Sequence, residues 1–209
     1  TTCRTSSEGA LMRLRQIMAS DEVKESHLRA KTGARLTAAS EPSGPVDRLT
    51  KLFSSTRLRE RLEEEILRAS RYGYEIAVVA IDLDKLGDLN EIHGFALGDR
   101  LLAEVGNALQ GTLRKSDIAS RYDGGTFVLM LPHTGEKGKR GVGQRLVRAI
   151  GEMEIKTRGG SITPTASAGV AVYPLDGDEK DELIDAAFTA MKRAKLAGGN
   201  RVIASRDAA

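Results

Sequence analysis

Arg121-Tyr122-Asp123-Gly124-Gly125-Thr126-Phe127 reads RYDGGTF and runs on into Val128-Leu129-Met130-Leu131. A glycine pair between two strand-like runs signals a tight turn, because the central residues of hairpin turns need backbone angles that glycine takes freely. Ile118–Tyr122 and Thr126–Leu131 are therefore expected to pair as antiparallel strands. Outward from this hairpin, helical and strand patterns alternate. Arg57–Arg71 is an amphipathic helix with Leu58, Leu62, Ile66 and Leu67 on one side. Glu75–Asp82 is a continuous apolar run, hence a buried strand. Leu97–Leu113 places Leu101, Leu102, Val105 and Leu109 inward, and Lys137–Met153 does the same with Val142, Leu146, Val147 and Ile150. A small-residue strand over Thr163–Val172, a helix over Glu179–Leu196 and a closing strand over Arg201–Ile203 complete the series. One tight hairpin inside an alternating chain predicts an α+β fold with a mixed central sheet flanked by helices, not a purely parallel sheet.

Ahead of that domain, residues 7–36 carry a stripe of Leu11, Leu14, Ile17 and Met18, which predicts a helix that weakens after Asp21. TAASEPSGPV, residues 37–46, has linker composition. The expected division is thus 1–46, helix and linker, and 47–209, the compact domain. The chain has 209 residues, 40% hydrophobic and 29% charged, the profile of a soluble globular protein. Net charge is +3 with no basic tail, and aromatics are 4% with no Trp, so neither electrostatics nor stacking platforms point to nucleic acid. Cys3 is the only cysteine, which excludes an internal disulfide or a cysteine metal site. No run is long enough to span a bilayer. The chain opens on Thr1, as expected of a piece of a longer protein, and a cytoplasmic setting fits the lone thiol.

Four stretches carry side chains suited to chemistry. In Ile81-Asp82-Leu83-Asp84 two acids sit two apart, on one face, where a buried strand ends. Hard carboxylate oxygens there suit Mg²⁺ beside phosphates, and Asp is equally an ordinary turn residue. In DLNEIHGFALGD (88–99), Asn90 and Asp99 flank a Gly-containing loop that opens a helix. An amide and a carboxylate match the donor and acceptor edge of guanine; the same residues could instead cap the helix start. Arg114-Lys115-Ser116-Asp117 offers a guanidinium fork for phosphate or guanine with an acceptor beside it, or else an exposed ion pair of small energetic weight. Lys195, in AKLAGGNR (194–201), can reach a phosphate from a Gly-rich helix end, or simply counter the helix C-terminus. Each stretch alone has an ordinary structural explanation; their common order and spacing does not.

Read end to end, Asp47–Ile203 resembles a GGDEF domain of the diguanylate cyclase family. DRLTKL (47–52) is similar to that family's D-x-L-T-x-L. Asp82–Asp99 resembles D-x-D-x-F-K-x-x-N-D-x-x-G-x-x-x-G-D, and RYDGGTFVLMLPHT resembles R-x-GGDEF-x-x-x-L-P-x-T. ASAGVAVYP and AKLAGGNRV resemble S-x-G-V-A and A-K-x-x-G-R-N-x-V. The resemblance covers about three quarters of the chain and implies a ferredoxin-like, nucleotidyl-cyclase fold.

The family joins two GTP molecules into cyclic di-GMP across a dimer, with Mg²⁺ held by the first strand-end acid, here Asp82, and the acids of the GGDEF loop. That loop here is Asp123-Gly124-Gly125-Thr126-Phe127. Gly125 and Thr126 stand where active members carry acids, Asp123 where they carry glycine, and Gly87 and Gly199 where they carry Lys and Arg. The resemblance implies a degenerate active site with no catalytic residue and no resident cofactor, since one lost ligand or donor costs ~3 kcal/mol of transition-state stabilisation. Asp82 is the residual metal candidate, and Asn90, Asp99 and Lys195 are the remnant of guanine and phosphate binding. Arg114 and Asp117 match the family's product-binding R-x-x-D, and Arg145 the arginine that completes it. The reading is an inactive GGDEF domain that acts as a cyclic di-GMP receptor in a bacterial cytoplasm. It passes the signal to an effector protein, a linked domain or a second copy in a homodimer, with no nucleic-acid or membrane partner. The alternatives are a GTP-binding regulatory domain without turnover, or a nucleotide-independent interaction or dimerisation module.

Overall fold

The computed structural model describes residues 44–157 and 159–207, all within the unit Pro42–Ala209. The helix expected over 7–36 and the linker up to residue 43 lie outside the described residues.

Among the described residues, eight strands and five helices follow in the order β1 (Phe53–Ser54), α1 (Ser55–Tyr72), β2 (Ile76–Leu83), α2 (Leu86–His93), α3 (Phe95–Thr112), β3 (Ile118–Asp123), β4 (Thr126–Pro132), α4 (Lys139–Gly151), β5 (Ile155–Thr157), β6 (Gly160–Ile162), β7 (Ala166–Tyr173), α5 (Lys180–Leu196) and β8 (Val202–Ala204). Six strands form one sheet in the order β1-β3-β4-β2-β7-β8, and β5 and β6 pair separately. The four inner strands are antiparallel to one another, while β1 and β8 join the edges in parallel, so the sheet is mixed as expected.

The alternation of side chains along β2 explains the three layers. Ala77, Val79, Ile81 and Leu83 pack with Leu101, Leu102, Val105 and Leu109 of α3 and Leu146, Val147 and Ile150 of α4. Ile76, Val78 and Ala80 face the other way, onto Leu58, Leu62 and Ile66 of α1 and Leu183, Ile184, Ala187 and Met191 of α5. A strand covered on both faces has no polar side to show, hence its unbroken apolar run. The helices begin and end on local chemistry. Ser54 caps α1 by accepting from Arg57 N at 3.3 Å, and Gly73 stops it at φ 70°. Glu179 and Glu182 form a capping box at the start of α5.

Several expectations need correction. Leu67 does not join the inward face of α1; it is 70% exposed, because the inward stripe runs through Leu58, Leu62, Glu65, Ile66 and Ala69. The stretch before α3 is no loop: Leu86–His93 forms α2, and Gly94 at φ 83° turns the chain into α3. Asp99 lies inside α3 and caps nothing; the N-cap is Gly94, with no side-chain bond. The small-residue strand starts at Ala166, not Thr163. The two-residue β1 and the β5–β6 hairpin were unforeseen.

Candidate functional site

Three neighbouring strands bring one set of side chains together. Asp82, at the end of β2, is paired in register with Thr126 at the start of β4 and Ser167 at the start of β7. The turn Gly124–Gly125 closes the β3–β4 hairpin beside it, with Gly124 at φ 48°, a conformation glycine adopts without strain. A Cβ on Gly125 would lie 3.5 Å from Asp82 Oδ1 and 2.6 Å from Leu86 Cδ2, so a side chain at 125 would emerge beside the Asp82 carboxylate. Asp82 instead forms an ion pair with Lys195, which reaches across from the last turn of α5.

Asp84 is committed elsewhere. One oxygen accepts from the Ser167 hydroxyl at 2.7 Å, the other from the Thr165 hydroxyl at 2.9 Å and Asn200 N at 3.0 Å. It thereby ties the end of β2 to the start of β7 and to the α5–β8 turn. Gly199 at φ 73° sits against this carboxylate; a Cβ there would be 3.2 Å from it. The Gly87 position is open, and Asp123 is exposed at the end of β3. The chemistry of this donor set does not suit a two-cation centre. Among the described residues no three His, Cys, Asp or Glu side chains meet where a metal ion could be held. Asn90, on α2, has its Oδ1 buried without a hydrogen-bond partner, packed against Gly98. Asp99 is one residue further along α3 and exposed.

A second site lies where α3 ends and β3 begins. Arg114 N donates to Asp117 Oδ2 at 2.9 Å and Asp117 N to Arg114 O at 3.0 Å, a four-residue turn closed from both ends. The side-chain ion pair that is the alternative reading of these two residues is not made: the turn uses the backbone of Arg114, and among the described residues no carboxylate pairs with its guanidinium. Both residues line a cleft of about 350 Å³ with Lys51, Phe53, Gln110 and Lys115. Arg145 stands exposed on α4 and is not among the residues lining that cleft. Motif reading gave no role to Lys51, Gln110 and Lys115, which line this cleft, although Lys51 and Lys115 belong to quoted stretches. It also missed the hydroxyls of Thr165 and Ser167, although Ser167 belongs to the quoted ASAGVAVYP.

Arg121 ties the hairpin turn to the turn that begins at Asp47. Its Nε donates to Gly124 O at 3.0 Å, and its guanidinium lies 3.5 Å from the Asp47 carboxylate. Asp47 Oδ1 accepts from both Thr50 N and the Thr50 hydroxyl at 2.7 Å. Burial alone would raise the Asp47 carboxyl, but the Thr50 donors and Arg121 outweigh it and hold it below the usual carboxylate range.

An antiparallel-centred sheet with parallel edges, helices on both faces and an acid at the inner strand end beside a hairpin turn defines a nucleotidyl-cyclase-type domain. The chain belongs to the family described as diguanylate cyclase, GGDEF domain, whose model matches residues 45–201. Among curated relatives, it is 33% identical over 157 residues to diguanylate cyclase DgcP of Pseudomonas aeruginosa, an alignment covering 75% of this chain and 23% of that protein. It thus spans about a quarter of the length of such relatives. The GGDEF domain of TpbB (YfiN) from Pseudomonas aeruginosa superposes with a TM-score of 0.73 at 25% identity, covering 77% of this chain and 94% of that one. A microbial GGDEF domain described in its interaction with bis-(3′,5′)-cyclic di-GMP superposes with a TM-score of 0.66 at 26% identity, covering 76% and 95%. None of the described helices is long and apolar enough to cross a membrane.

Proposed function

We propose that this domain does not turn over GTP and serves as a receptor for cyclic di-GMP, held at the Arg114–Asp117 turn. The observation that carries the reading is the contrast between two sites on one fold. At the hairpin, Asp82 faces glycine and threonine and is neutralised by a lysine. At the cleft, a closed turn presents beside an acid a guanidinium that has no carboxylate partner among the described residues. A guanidinium fork suits phosphate and the guanine Hoogsteen edge, and a carboxylate accepts from the guanine amino group. Arg145 on α4 is the further contact, reached by a ligand that extends beyond the cleft. The cleft is also lined by Val46, Leu52 and Phe53, so an occupant touches the segment by which the chain enters the domain. That contact gives binding a route to a linked domain or effector. Likeness to a GGDEF domain described with cyclic di-GMP supports the ligand.

Calorimetric titration with cyclic di-GMP tests the reading. Micromolar or tighter binding is expected (about −8 kcal/mol or better), lost in Arg114→Ala and weakened in Arg145→Ala. A second reading, GTP binding without turnover, draws on the unpartnered Asn90 Oδ1, an acceptor that a guanine donor would satisfy. Heat with GTP–Mg²⁺ and none with cyclic di-GMP would favour it. Silence with both ligands would leave a nucleotide-independent interaction module.

A further inference from the structure

We propose that Lys51 is a phosphate contact of the Arg114 cleft, so that the cleft grips two phosphate groups of one ligand, one at the Arg114 guanidinium and one at the Lys51 ammonium. The inference rests on the reading of the Arg114–Asp117 turn as a ligand site and names a further side chain that selects the ligand.

Topology brings the two cations together. β1 and β3 run parallel, with Phe53 beside Ser120 and Ser54 beside Arg121. Parallel strands start at the same end of a sheet, so the turn leading into β1 lies beside the turn leading into β3. Lys51 belongs to the first turn, and Arg114, Lys115 and Asp117 to the second; all four line the same cleft. Its lining thus carries three cationic side chains against one acid. That acid is engaged locally: Asp117 Oδ2 accepts from Arg114 N and Oδ1 from the Ser116 hydroxyl at 3.2 Å. Among the described residues no carboxylate pairs with Lys51, Arg114 or Lys115. Charges of one sign gathered in a concave place concentrate anions there.

The turn fixes where Lys51 stands. Lys51 N donates to Asp47 O at 3.0 Å, and Asp47 N to Leu52 O at 2.8 Å, while the Asp47 carboxylate holds Thr50. These bonds set Lys51 at φ 62°, a left-handed conformation that is strained for lysine and free for glycine. A strained residue over-determined by its surroundings directs attention to its side chain. Here that side chain is exposed and lines the cleft. A cyclic dinucleotide carries two phosphodiester groups. The guanidinium fork suits one of them, and an ammonium, as a compact point charge, suits the other.

Calorimetric titration of the full chain in Mg²⁺-free buffer tests this, with cyclic di-GMP and with inorganic tripolyphosphate, a flexible polyanion without a base. The proteins are wild type, Lys51→Gly, Lys51→Gln, Lys51→Arg and Arg114→Ala. Cyclic di-GMP should bind Lys51→Gly and Lys51→Gln about tenfold more weakly than wild type, the loss of one charged hydrogen bond. Lys51→Arg should retain affinity. Raising salt from about 0.05 to 0.5 M should narrow the gap between wild type and Lys51→Gln, because exposed charges are screened; a lysine acting only through the shape of its turn would leave the gap unchanged. Glycine takes this φ without strain, so an undiminished urea midpoint for Lys51→Gly establishes that lost affinity is not lost structure, and Lys51→Gln keeps the side-chain stem while removing the charge. The inference is overturned if cyclic di-GMP binding needs Arg114 but is equal in wild type, Lys51→Gly and Lys51→Gln, or if Lys51→Arg loses it as fully as they do. Tripolyphosphate separates the two levels. Binding of tripolyphosphate that needs both Lys51 and Arg114, with none of cyclic di-GMP, defeats the receptor reading and upholds this inference. Silence with both ligands, or binding indifferent to both residues, defeats both.

Discussion

Asp47 serves two partners with two oxygens. One accepts both Thr50 donors and the other faces Arg121. Its carboxyl titrates below the ordinary value despite partial burial, so the folded state holds the charged form more strongly than the unfolded chain does. The stabilisation is full above the unfolded value, about 4, and is lost as pH falls through the lower folded value. Asp47→Ala should cost about 1 kcal/mol at neutral pH, the usual worth of a side-chain cap, and should flatten the acid limb of stability against pH in urea titrations. Tyr74 works in the opposite direction. Burial, then the hydrogen bond to Glu65 at 2.8 Å and the charge of Glu65, push its phenol up to about 12. Its proton is retained in the folded state after an unfolded tyrosine has lost it. That contribution is complete below about pH 10 and disappears as pH rises through about 12. Ultraviolet titration of the phenolates should show one late component, moved to lower pH in Glu65→Gln.

Close approach between elements sets the next scale. A methyl group on Gly169 of β7 would overlap the backbone at Ala187 and Met191 of α5, so α5 lies directly on the sheet there. Gly169→Ala should destabilise by about 3 kcal/mol, the upper end for overpacking, because backbone cannot swing aside as a side chain does. Gly87→Ala on α2 meets nothing within 4 Å and should be neutral or stabilising by up to about 1 kcal/mol through helix propensity. Denaturant midpoints of the two variants make the comparison. The same scale explains what the sequence made legible. β2 and β7 declared themselves as unbroken runs of apolar or small residues, and the long helices by an apolar period kept over two or more turns. β1 has two residues, β5 and β6 three each, too few for any period, and α2 was hidden by the glycines around it. At the sites, residue types singled out Asp82 and the Arg114–Asp117 turn with ordinary alternatives open, and the family resemblance gave them their expected roles. Partners such as Lys195 for Asp82 and Thr165 for Asp84 are 113 and 81 residues apart in sequence, and Arg121 is comparably remote from Asp47. Only the folded sheet brings such pairs together.

For the whole molecule, two hydrophobic clusters share the central strands. Amides of β2, β4 and β7 should therefore exchange last in hydrogen–deuterium experiments, near the rate of global unfolding. Those of β5 and β6, a separate ladder of three residue pairs, should exchange first. Edge strands carry the chain in and out. The described chain enters at β1, on one edge of the six-stranded sheet, and leaves after β8, on the other. Mechanical tension applied between residues 44 and 207 is consequently transmitted across the six strands of that sheet. Its weakest coupling is the two-pair contact of β1 with β3, which makes the domain a tensile element that yields first at the edge beside the Arg114 cleft.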